Sequence, residues 1–167
     1  MKKLIAAVLV IVSLISFVGC SRRSYGYGER TFSEHGMSIT LTTAFSTYEA
    51  DGSHGYIMTY ASKDTFVMIQ KEFFSLIASG PSITDKEYLG LWIDANESKR
   101  KFGAVESYDG FVATSYSSTV NGTSYTYFVA AYKGRDSFWT VQFACDKSVY
   151  EDFKPYFIRW ASSVEFY

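Results

Sequence analysis

The side chains with reactive chemistry to offer are few and scattered. The chain holds two histidines, His35 and His54, and two cysteines, Cys20 and Cys145. Both histidines lie beside glycine in turn-like sequence, and neither belongs to a helical His-x-x-x-His pair of the kind that grips a metal. Glu49, Asp51 and His54 fall together in the stretch 48–55, and their atom types suit a weak cation site. Exposed loop positions with turn-forming glycines explain the same letters, so no metal ligand is assigned. Cys145 closes the run Phe138 to Cys145, where alternation puts it on one face with Trp139, Val141 and Phe143. That reads as a buried structural thiol, because a nucleophilic cysteine needs a base and a thiolate-stabilising setting and no histidine is near in sequence. Gly26 and Gly28 are not followed by the Lys-Ser/Thr of a phosphate loop, and no Gly-x-Ser-x-Gly elbow occurs. Glu151 and Asp152 are neighbours on an expected helix, so their carboxylates diverge and serve the helix start. The expectation is a non-enzyme with no catalytic residue and no cofactor.

Aromatic content is the unusual quantity: 14 Tyr, 14 Phe and 3 Trp among 167 residues. Tyrosines alternating along strands form a flat surface on which a sugar or peptide stacks while the hydroxyls hydrogen-bond. Tyr108, Tyr116 and Tyr125 are the candidates for such an exposed platform, and alanine at each is expected to abolish ligand capture without harming the fold. The competing reading is a core and sheet surface enriched in β-formers.

Charge and composition exclude other classes. The formal charge is −1, and losing Lys2 and Lys3 moves it further negative, so no basic excess exists to hold a polyphosphate and no nucleic-acid partner is expected. Hydrophobic residues are 47% with only 2 Pro and 12 Gly, which argues against a disordered or collagen-like chain.

The first residues read as an address. Met1-Lys2-Lys3 gives a positive start, and Leu4 to Val18 carries no charge, too short a run to span the hydrocarbon of a bilayer at about 20 residues. Phe17-Val18-Gly19-Cys20 follows, and this resembles the bacterial lipoprotein signal, with Phe17 where leucine is usual. The resemblance implies cleavage after residue 19 and acylation of Cys20, a lipid anchor to the extracytoplasmic face of a cell membrane. Lipidation of Cys20 leaves Cys145 without a disulfide partner. Arg22 and Arg23 are read as part of a polar, glycine-containing flexible tether over 20–30, with contact to anionic headgroups as an addition. The folded domain is expected over 31–167, one domain by length.

Within it, alternating runs at 31–34, 37–41, 55–62 and 65–73 predict strands. Thr84-x-x-Glu87 has capping-box spacing, so a helix follows, packed through Tyr88, Leu91, Trp92 and Ala95 with Leu89 and Ile93 beside them. Lys99-Arg100-Lys101 reads as its basic C-terminal turn, stopped by Gly103, rather than as a ligand patch. Strands are expected at 105–109, 111–120, 123–132 and 137–145, with Asn121-Gly122 as a tight hairpin turn. Ser148-x-x-Glu151 repeats the capping spacing and opens a terminal helix carrying Phe153, Phe157, Trp160 and Ala161, which Pro155 kinks or restarts. A final strand is expected at 164–167. The fold class is α+β, an antiparallel sheet of about seven strands flanked by helices, with both faces of the strand at Tyr125 to Tyr132 apolar enough to be covered.

Phe32-Ser33-Glu34-His35-Gly36-Met37-Ser38-Ile39-Thr40-Leu41, Phe45, Asp64 to Phe73, Phe138 to Asp146 and Trp160 to Phe166 together resemble the PsbP-like family. That fold is shared by an extrinsic photosystem subunit, a small Ran-binding import factor and many bacterial lipoproteins. The resemblance covers about residues 31–167 and implies an α/β/α sandwich with a binding or assembly role. It carries no catalytic motif, and no functional residue transfers. The sequence therefore leads to a lipid-anchored binding or assembly module of the cell envelope, its partner an envelope protein or a small ligand. The alternatives are a carbohydrate- or peptide-binding lipoprotein that uses the aromatic surface, and an envelope enzyme.

Overall fold

The computed structural model describes residues 28–49 and 55–167. The signal, Cys20, Asp51 and His54 lie outside the described residues. The chain starts its first strand, β1 (Glu29–Glu34), two residues earlier than alternation suggests, because Glu29 and Arg30 already pair with Thr42 and Leu41 of β2 (Met37–Thr42). The Arg30 guanidinium also lies 4.7 Å from the centre of the Phe32 ring, so residues 29 and 30 belong to the domain rather than to a tether. His35-Gly36 makes the two-residue turn, both at positive φ (54° and 90°), which His tolerates better than a β-branched residue would.

After β3 (Ser46–Thr47), β4 (Met58–Ala61) and β5 (Thr65–Phe73) comes helix α1 (Asp85–Asp94), followed by β6 (Glu106–Tyr108), β7 (Phe111–Val120), β8 (Thr123–Lys133) and β9 (Ser137–Asp146). Helix α2 (Tyr150–Ala161) and β10 (Glu165–Phe166) end the chain. The large sheet runs β3-β4-β5-β9-β8-β7-β6 and is antiparallel throughout. It has the expected seven strands, with a change of membership: β1, β2 and β10 form a separate three-stranded sheet, while the two-residue β3 takes the edge. Strand partners far apart in sequence cannot be read from local alternation, which fixes only which side chains share a face.

The period-2 pattern divides the core into two. Trp139, Val141, Phe143 and Cys145 of β9 join Phe128, Ala130 and Tyr132 of β8 under α2 and the small sheet. Their alternates, Phe138 on β9 with Val129 and Ala131 on β8, pack under α1 through Tyr88 and Leu89. The buried stripe of α2, Tyr150, Phe153, Phe157, Trp160 and Ala161, recurs at three- and four-residue steps. Each such aromatic contributes about 1.5–3 kcal/mol of burial. Pro155 does not break α2: it sits on the exposed face, one turn after the exposed Glu151 whose carbonyl its missing N–H cannot serve. The N-terminal cap differs from the expected Ser148 box. The Asp146 carboxylate accepts from Ser148 N at 2.8 Å and from its hydroxyl at 2.6 Å, which holds the Asp146 pKa below the ordinary range.

Helix α1 begins on the expected capping box, with Glu87 N donating to Thr84 Oγ1 at 3.2 Å and Thr84 N to Glu87 Oε2 at 2.7 Å. It ends early. Asn96 Nδ2 donates to the Trp92 carbonyl at 2.8 Å and Asn96 N to the Ile93 carbonyl, so the last turn is closed there and 95–99 forms turns. Lys99-Arg100-Lys101 is thus not a helix terminus. Leu91 and Ala95 face solvent, and the buried side is Tyr88 and Leu89 with the half-buried Trp92 and Ile93.

Candidate functional site

Alternation places Tyr116 on the α1 face of β7, where it pairs with Tyr127 of β8, and Tyr125 follows two residues before Tyr127 on that same face. The Tyr116 and Tyr127 rings stack with centroids 4.6 Å apart and planes 4° apart. Tyr116 is not the exposed probe that sequence suggested. It is 4% exposed, closed in by Phe102 and Trp92, and its hydroxyl donates to Gln142 Oε1 at 3.1 Å. Replacing it with alanine would open a cavity costing about 3–5 kcal/mol, so the expectation that folding is left intact fails here. Tyr125 and Tyr127 are half-buried and remain partly accessible.

Tyr108 is on the opposite face. Its ring stacks on Phe111 at 4.7 Å, and its hydroxyl donates to Glu106 Oε2 at 2.6 Å. Lys154 of α2 reaches the other oxygen of Glu106 at 3.1 Å. The Tyr108 hydroxyl and the Lys154 ammonium hold the Glu106 carboxyl below its usual range. Tyr108 therefore helps fasten α2 to the sheet edge, and the three candidate tyrosines do not form one platform.

The arrangement that does form centres on Gln142, a buried amide in the middle of β9. A buried amide is costly unless bonded. Its Oε1 accepts from the Tyr116 hydroxyl at 3.1 Å and its Nε2 donates to the Tyr56 hydroxyl at 3.4 Å. Arg100 completes the group. Its Cζ lies 4.6 Å from the centre of the Tyr116 ring, and NH1 donates to Asn96 Oδ1 at 3.2 Å. Burial pushes the Tyr56, Tyr116 and Tyr127 hydroxyls above their ordinary pKa, and the Arg100 charge draws all three back. Arginine is the cation acting on each of them. The same face continues across β5, where the exposed Phe66 meets Tyr48 edge-on at 6.3 Å. The chemistry on offer is one positive, planar donor with phenol hydroxyls and ring faces beside it.

Sequence reasoning missed Arg100, Gln142 and Tyr56. The one signal for Arg100 was the basic run itself, and for Gln142 a polar residue within an otherwise apolar central strand. Cys145 is buried, as expected, and free among the described residues, its thiol pushed up to about 12 by burial and then by the Asp146 charge. His35 is an exposed turn residue. No group of three or more His, Cys, Asp or Glu arranged for a metal occurs among the described residues. A shallow notch is lined by Gly122 to Ser124 and Asp146 to Ser148, and its carboxylate is occupied by Ser148.

The two-faced antiparallel sheet with its helices and second small sheet is a PsbP-like α+β fold. It is similar to the solution structure of cyanobacterial PsbP (CyanoP) from Synechocystis, with 15% identity and a TM-score of 0.58 over 86% of this chain and 96% of that one. A crystal structure from Bacteroides thetaiotaomicron is also similar, at 14% identity and a TM-score of 0.54 over 84% of this chain. This chain spans 48% of that longer protein. Likeness at this identity shows the fold alone. No family model matches the sequence, and no curated protein matches it by sequence.

Proposed function

We propose that this protein is a lipid-anchored, extracytoplasmic binding or assembly module of a bacterial cell envelope, of the lipoprotein branch of the PsbP-like fold, and not an enzyme. The anchor rests on the positive start, the short apolar run and the box ending at Cys20. Among the described residues no helix is long and apolar enough to cross a membrane. The observation that carries the binding role is the Arg100, Tyr127 and Tyr56 cluster on the α1 face, which offers donors and ring faces at a partly open surface. Its partner is an envelope protein or a small ligand.

Intact-mass analysis of the full chain from membrane and soluble fractions of its native cells, beside Cys20→Ala, tests the anchor. An acylated species beginning at Cys20 and lost in the variant is expected; a soluble, unacylated chain cleaved elsewhere refutes it. Crosslinking of the acylated form in membranes then identifies the partner. A second reading, a carbohydrate- or peptide-binding lipoprotein, is favoured by the rings shared on one face by Tyr48, Phe66, Tyr125 and Tyr127. Tyr125→Ala should weaken capture on that reading, and undiminished capture would exclude it.

A further inference from the structure

Tyr48 and Phe66 are rings that the fold leaves uncovered. They are 53% and 37% exposed and meet edge-on at 6.3 Å. Tyr48 directly follows β3, the edge strand of the large sheet, and Phe66 is the second residue of β5. Their end of the sheet is also where the chain arrives from its N-terminal segment. The Gly28 carbonyl accepts from Thr43 N at 3.3 Å, three residues before Ser46 pairs with Ala61, and Ala61 pairs in turn with Phe66. The exposed Phe73 and Leu76 belong to the opposite end: Phe73 closes β5 about 23 Å from Phe66 at the rise of a strand, and Leu76 lies in the turn beyond it.

Cys20 precedes Gly28 by eight residues, which span at most about 29 Å when fully extended. An acyl group on Cys20 therefore holds Gly28, and with it the Tyr48 and Phe66 end, close to the membrane surface. A contact made within such a tether is intramolecular, so a patch too small to capture a bilayer from solution is enough to orient the domain. Two rings bury at most about 500 Å² between them. That falls short of the roughly 800 Å² a side of a stable protein interface, but it suits a lipid surface, where aromatic side chains settle at headgroup depth. Glu49, Lys63 and Asp64 are exposed within three residues of one ring or the other, and their mixed signs leave the rings rather than net charge to make the contact.

We infer that, in the anchored protein, the Tyr48 and Phe66 rings lie in the interfacial layer of the bilayer that holds Cys20, with the Phe73 and Leu76 end directed away from it. This rests on the lipid-anchor reading and deepens it by giving the anchored domain an orientation.

The test uses the full chain acylated at Cys20, reconstituted in phosphatidylcholine vesicles whose acyl chains carry bromine, which quenches tryptophan on contact. Tryptophan is placed singly as Tyr48→Trp, Phe66→Trp and Leu76→Trp, and the emission of the three native tryptophans, measured in the unsubstituted chain, is subtracted. Tyr48→Trp and Phe66→Trp should each be quenched at least about twofold more than Leu76→Trp, and to the same extent when phosphatidylglycerol is added. Should one ring variant fail to fold, the other still decides. Equal quenching at all three positions, stronger quenching at Leu76→Trp, or quenching of the ring variants only with phosphatidylglycerol would each overturn the orientation. An acylated chain that floats with the vesicles while both ring variants stay unquenched overturns the orientation alone and leaves the rings to a sugar or peptide. A chain that carries no acyl group and does not float overturns the anchor and the orientation together.

Discussion

Tyr132→Phe probes the docking of α2 with the smallest possible change. The Tyr132 hydroxyl is buried on the core face near the end of β8 and donates to the Ala161 carbonyl, in the last turn of α2, at 2.9 Å. Phenylalanine keeps the ring and its contacts with Phe111 and Phe166, at 5.5 and 5.8 Å, and deletes one donor. The Ala161 carbonyl also accepts from Val164 N at 3.2 Å, so it is not stranded by the change. The loss is therefore the net value of one hydrogen bond, about 1 kcal/mol, and not the larger penalty of an unsatisfied buried acceptor. For a domain of this size that is a fall in Tm of about 3–4 °C. Urea unfolding followed by circular dichroism should show a lower midpoint with an unchanged slope, since the surface exposed on unfolding is the same. An unchanged midpoint would mean that the bond contributes nothing. A loss above about 3 kcal/mol, or a changed slope, would mean that the hydroxyl holds the whole helix in place, and the single-bond reasoning would be refuted.

Gly80 is buried, and a Cβ there would press on the carbonyl and Cα of Phe74, which are backbone and cannot swing aside. Gly80→Ala should cost about 1–3 kcal/mol by the same urea measurement, while Gly90→Ala, which meets no atom, should be neutral or stabilising. Burial raises the folded pKa of Tyr132, and of Tyr60 to about 12, above the ordinary 10.0. The stability this represents is full below pH 10 and is lost as pH rises from 10 through those folded values, so the urea midpoint should fall above pH 10, and less steeply in Tyr132→Phe. In the Cys20→Ala chain, Cys145 should resist aromatic disulfide reagents until the protein unfolds, because its thiol is buried and kept protonated; rapid labelling of the native chain would contradict that packing.

Hairpins were legible because their determinants are local. Alternation from Phe111 to Val120 and from Thr123 onward, joined by Asn121-Gly122 at positive φ, sets the strands and turn within a few residues of where they occur. The α2 stripe and the α1 capping box were legible for the same reason. Tyr116 shows where this stops. Alternation gives the face it occupies, but its exposure depends on Phe102, Trp92 and Arg100 arriving from a separate segment.

The α+β class, the capping of α1, the two apolar faces of β8 and the buried thiol can be read from the order of residues alone, since each follows from period, turn chemistry or near-neighbour hydrogen bonds. That β1, β2 and β10 leave the large sheet emerges only on folding, because strand partnership is a long-range choice among edges of similar pattern. The place of Lys99-Arg100-Lys101 is likewise set by packing. The Asn96 side chain closes the helix on the Trp92 carbonyl before that run begins, and the freed turn lays Arg100 on the ring of Tyr116, a strand residue 16 positions further along.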